Sequence, residues 1–217
     1  MNNHITPHEV FSDVRKAYRL LHDYQRMVMD AVAYIGKQLT LDHQEGFPKY
    51  SSKTKYGRDS LQRWAWDWLG MMFYEFHFTK EININNSETP ALLRLSALHA
   101  ADTDALRMPR SNRPDTSTYP PSNLSNSKIC FIFSLEGAGP KSWKSWDFSF
   151  ADNPKELAKL FEDGSLPERC QDIGLKTHLI DVADICSEEQ AIQVAQDLKL
   201  KLIDGNTLIS QDLFDLK

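Results

Sequence analysis

Two imidazoles and two carboxylates stand in or beside a pair of apolar stretches. Glu75 and His77 belong to FYEFHF, and His99 and Asp102 close LLRLSALHAAD. Glu75 and His77 are two positions apart, so in a strand their side chains share a face. If residues 71–80 pair with 92–101, His99 joins them and Asp102 stands at the strand end. Such a donor set suits Zn²⁺, Mn²⁺ or Fe²⁺ and describes a metal-dependent hydrolase, with nucleic acid among its substrates. The spacing is not that of HExxH, and a register slip of one residue turns a side chain to the other face. The plain alternative is that Glu75 and His77 mark the wet side of a sheet. A divalent metal is the candidate cofactor, and no other is expected.

Three further stretches carry chemistry of a weaker kind. Lys49, Lys53, Lys55 and Arg58 alternate with Tyr50 and Tyr56. Cations interleaved with aromatic rings track a phosphate backbone while stacking bases, which describes a single-strand nucleic-acid binder; a solvated loop has the same composition. Glu136–Ser142, EGAGPKS, follows an apolar stretch as a phosphate loop does, but Pro140 separates Gly139 from Lys141 and the Walker pattern fails. Ser134 lies in no GxSxG elbow, and Cys130, among isoleucine and phenylalanine, reads as a small apolar filler. Trp143 and Trp146 flank Lys144, and a tryptophan pair edged by polar residues is a candidate interaction surface.

The elements that position these groups follow from periodicity. Thr6-Pro7-His8-Glu9 has the form of a helix start with a capping box. Val10, Val14, Ala17, Leu21, Tyr24, Val28, Ala31, Ile35 and Leu39 then recur at helical spacing, which predicts one very long helix. Its first half keeps a polar face, and its first turns are expected to project or to line an edge. Met27–Ile35 is apolar nearly all round and is expected at the centre of the fold. There Asp30 is expected to pair with Arg26, four residues earlier. Gly46-Phe47-Pro48 closes the helical region. The stretch Leu61–Phe78, with Trp64, Trp66 and Trp68, reads as an aromatic hub that ends in a strand. Residues 92–101, whose Thr89-Pro90 start and alanines also allow a helix, are expected to pair with it as a strand, Ile129–Leu135 is a buried strand, and Trp146–Phe150 and Thr177–Val182 are two more. Asn153-Pro154 and Ser187-Glu188-Glu189-Gln190 open two shorter helices. The closing LKLIDGNTLIS reads as a hairpin turning at Asp204-Gly205. The sum is an α+β fold: an antiparallel or mixed sheet of about five strands on one long N-terminal helix, with two shorter C-terminal helices.

Residues 1–217 are expected to form a single domain, with a flexible insertion at about 102–128, rich in Pro, Ser and Asn. The three cysteines are far apart and odd in number, which predicts a reduced, cytoplasmic protein. No apolar run approaches the length of a membrane span. The net charge of −5 is concentrated in residues 147–217, with 15 acidic against 7 basic side chains, so the chain lacks an overall basic footprint for nucleic acid. Because no motif identifies a reaction, the first expectation is an accessory or adaptor protein acting through a protein partner.

Overall fold

The computed structural model describes residues 7–48, 73–83, 90–107, 117, 119–136, 153–167, 170 and 175–204. Helix α1 spans Pro7–Gln38 and strand β1 Asp42–Pro48. The hairpin partners β2 and β3 span Phe73–Ile82 and Ala91–Ala100. A 3-10 turn at Ala105–Arg107 precedes β4, Lys128–Glu136. Helix α2 is Pro154–Asp163, β5 is Lys176–Asp181, a second 3-10 turn is Val182–Ile185, and α3 is Glu188–Asp204. The strands form one five-stranded sheet in the order β1-β2-β3-β4-β5, with every neighbouring pair antiparallel. The expected α+β arrangement is therefore the fold.

Each face of the sheet has its own core. Phe76, Phe78, Leu93, Leu95, Ala97, Phe131 and Ile180 pack beneath α1 and α3, against Val28, Val32, Ile35, Val194 and Leu198. The opposite face carries Phe73, Leu98, Ala100, Cys130 and Ile132, covered by Leu157, Leu160 and Phe161 of α2. Burial pushes the Cys130 thiol far above its ordinary range, as befits an apolar filler. Helix α1 can press close to the sheet because Gly36 has no side chain: a Cβ there would lie 2.5 Å from Cε1 of Phe78.

Local signals set the helix ends. Asn153 caps α2 by accepting from the Lys155 amide at 3.1 Å, and Gly164, at φ 78°, closes it. Ser187 and Gln190 exchange side chain-to-backbone bonds at the start of α3, a complete capping box. At the end of α1 the left-handed residue is Thr40, at φ 54°, where glycine is usual. Its hydroxyl accepts from Lys80, which ties the helix end to β2.

Three expectations need correction. The stretch after α1 is not the tail of a helical region but strand β1, whose partner is β2. Residues 200–204 are not one arm of a hairpin; they continue α3, where Leu202 lies one turn beyond Leu198 on the buried face. The second half of α1 is buried on one side only: Met29 stays exposed, and the Arg26–Asp30 pair, at 3.6 Å, is on the surface. Of the expected aromatic hub only Phe73–Phe78 lies among the described residues, where Phe73 meets Phe161 and Tyr74 meets Phe76. Trp64, Trp66, Trp68 and the 146–150 strand lie outside the described residues.

Candidate functional site

The pairing of β2 with β3 sets Glu75 opposite Leu98, His77 opposite Ser96 and Tyr74 opposite His99. Paired residues share a face, and faces alternate along a strand. Glu75, His77 and Ser96 therefore stand together on one side of the sheet, and His99 stands on the other. The three form a row: Ser96 Oγ lies 2.9 Å from His77 Nδ1, and His77 Nε2 lies 3.2 Å from Glu75 Oε2. All three are buried. A carboxylate only accepts, so Nε2–H donates to Glu75, and in the neutral tautomer Nδ1 accepts from the Ser96 hydroxyl. The order hydroxyl–imidazole–carboxylate is that of a nucleophile with its base and orienting group. It is also a way to satisfy polar groups in a dry interior, where each unmet partner costs roughly 1–3 kcal/mol.

His99 has a separate partner on the α1 side. The Tyr24 hydroxyl meets His99 Nε2 at 2.7 Å, with ring centroids 5.6 Å apart. Burial lowers the His99 pKa from 6.5 to about 4, so the imidazole is neutral near pH 7, and its tautomer decides which of the two groups donates. Burial also raises the Tyr24 pKa, opposed by a hydrogen bond with Ser127.

Asp102 has a third role. Its Oδ1 accepts from the amides of Asp104 and Ala105 at 3.0 and 3.1 Å and from Ser125 Oγ at 2.6 Å. It holds the turn before Ala105–Arg107 and ties it to the approach to β4, the work of an Asx residue. The expected four-residue metal set is thus divided among two sheet faces and a turn, because the register that brings Glu75 to His77 turns His99 away. Among the described residues no group of three or more His, Cys, Asp or Glu side chains could hold a metal ion. Lys49, Lys53, Lys55, Arg58, Trp143 and Trp146 lie outside the described residues.

A model of the PM0109 family matches residues 6–195. The chain belongs to the PM0109 family. No curated protein and no solved structure matches it. The PM0109 match takes in the whole sheet, the Ser96–His77–Glu75 row and all of α1.

The other exceptional feature of this PM0109 chain is the first half of α1. Phe11, Tyr18 and Leu20 are 60, 61 and 70% exposed, and Val10, Val14 and Leu21 are 45, 45 and 38% exposed. Val10, Val14, Ala17 and Leu21 continue the 4-3 spacing of Tyr24, Val28, Ala31 and Ile35, which face the core. One apolar seam thus runs the length of the helix and, among the described residues, is covered only along its second half. Two participants escaped sequence reasoning, Ser96 and Tyr24. Each is the hydroxyl in an apolar pattern, Ser96 among the leucines of β3 and Tyr24 on the seam. No helix among the described residues is long and apolar enough to cross a membrane.

Proposed function

We propose that this PM0109 protein works by docking, as a non-catalytic module that presents the first half of α1 to a protein partner. The observation that carries the reading is the uncovered seam. Large apolar side chains gathered on one surface mark interaction sites, and aromatic anchors such as Phe11 and Tyr18 carry much of the energy in them. The acidic C-terminal third supplies a second, charged surface for the same purpose. A tagged full-length protein is expected to retain its partner, and Tyr18→Asp is expected to lose it while keeping the wild-type melting temperature. Equal retention by Tyr18→Asp would refute the reading.

The Ser96–His77–Glu75 row favours a second reading, hydrolysis by acyl transfer to Ser96. Its complete burial weighs against it, since a nucleophile needs access to its substrate. Ser96-dependent labelling by a fluorophosphonate probe, abolished in Ser96→Ala, would support it; no labelling of the native protein would remove it. The nucleic-acid reading of Lys49, Lys53, Lys55 and Arg58 requires binding that weakens steeply with salt.

A further inference from the structure

We infer that the partner on the first half of α1 is a second copy of this chain, laid antiparallel along the same seam. The inference rests on the docking reading and names its occupant.

Three observations carry it. The first is steric. From Tyr24 onward the seam is covered by the molecule's own sheet and α3. Two copies paired in parallel would bring both bodies into the space between the helices. Antiparallel pairing places each body beyond the other's helix tip, and both fit. The uncovered run, residues 7–23, is about 25 Å long at 1.5 Å per residue. If it overlaps fully, Pro7 comes level with Tyr24 of the second copy, where that copy's body begins.

The second is self-complementarity. The two-fold arrangement that sets Pro7 across from Tyr24 sets Val10 across from Leu21 and Val14 across from Ala17. The small Ala17 leaves room for the axes to approach. On one flank Phe11 then meets Tyr18 of the other copy, an aromatic pair repeated by symmetry. Residues 7–23 carry three acidic side chains, Glu9, Asp13 and Asp23, and three basic ones, Arg15, Lys16 and Arg19, so self-pairing meets no net repulsion. Asp13, at the rim, already has Lys16 at 2.9 Å.

The third is magnitude. Phe11 and Tyr18, at 60 and 61% exposed, offer roughly 200–300 Å² per copy. Val10, Val14 and Leu21, on the seam itself, add roughly 200 Å² more. A total of about 900 Å² over both copies falls in the small class of interfaces, so the dimer is weak, with a dissociation constant of roughly micromolar or above.

Disulfide trapping tests the inference and its orientation. Cys130 and Cys170 are buried, so Cys186→Ser removes the exposed thiol. Val10→Cys and Leu21→Cys are then made singly in that background, at positions whose exposure spares the fold, and oxidised alone and mixed at tens of micromolar. The expected result is a mixed Val10→Cys/Leu21→Cys dimer in at least tenfold excess over either self-dimer, suppressed by adding Tyr18→Asp to both chains. Efficient self-crosslinking of Val10→Cys would overturn the antiparallel arrangement. No crosslink in any mixture would overturn self-pairing itself. Retention of a different protein that Tyr18→Asp releases would then leave docking standing, and absence of both would remove docking as well.

Discussion

The two halves of α1 share one sequence pattern and have opposite surroundings. Val28, Val32 and Ile35 are 0, 1 and 0% exposed, whereas Val10 and Val14, on the same seam, are each 45% exposed. Spacing alone says that a face is apolar; it does not say what covers it. Here the sheet and α3 reach only as far as Tyr24. The rest of the seam keeps the apolar character of a core without belonging to one.

Truncating side chains along the seam separates the halves most sharply. Ile35→Ala, in the covered half, is expected to lower unfolding free energy by roughly 2–5 kcal/mol in a denaturant titration. Leu21→Ala, at low protein concentration, is expected to change it by no more than about 0.5 kcal/mol. Equal costs at the two positions would break the comparison.

Tyr24, where the cover begins, gives a pH-dependent version. His99 titrates at about 4 in the folded protein, against 6.5 ordinarily. As pH falls, the unfolded chain takes up its proton first. The stability that His99 contributes is therefore complete above pH 6.5 and is lost as pH falls from 6.5 to about 4, by on the order of 3 kcal/mol. In His99→Gln the slope of stability against pH should flatten in that window. Tyr24→Phe leaves the buried imidazole without its phenol and should cost about 1–3 kcal/mol at pH 7. An unchanged slope in His99→Gln would show that the imidazole does not titrate as described.

A smaller effect is expected at Gly36, where the covered half touches β2. In Gly36→Ala the added carbon meets the Phe78 ring. Overpacking costs roughly 1–3 kcal/mol, offset by about 1 kcal/mol of helix propensity. The net loss of about 0–2 kcal/mol should appear as a lower melting temperature. A higher melting temperature would mean that the helix sits farther from the sheet.

What the sequence discloses follows the same division. The α1 seam, the caps at Asn153 and Ser187, and the pairing of β2 with β3 are all written in local patterns, and the structure has them. Strand β1, DHQEGFP, has Gly and Pro and no apolar alternation. It is an edge strand held by backbone pairing to β2, with a register irregularity between His43 and Glu45, so its side chains do not announce it. The tail of α3 reads KLKLID, an alternation as good for a strand as for a helix until Leu198 and Leu202 find a core. The candidate site was half legible. Glu75 and His77 had to share a face, but which face His99 took depended on the register, and β3, buried on both faces, has no polar alternation to fix it. Ser96 could not be chosen as the partner of His77 before that register was known.

Amide hydrogen exchange along α1, measured over a dilution series, bears most directly on the claim that one seam serves two purposes. Residues 28–35 are expected to be protected equally at every concentration. Residues 10–21 are expected to gain protection as concentration rises through the micromolar range, and to lose that gain in Tyr18→Asp. Protection of residues 10–21 that stays the same from the most dilute sample to the most concentrated would contradict the account.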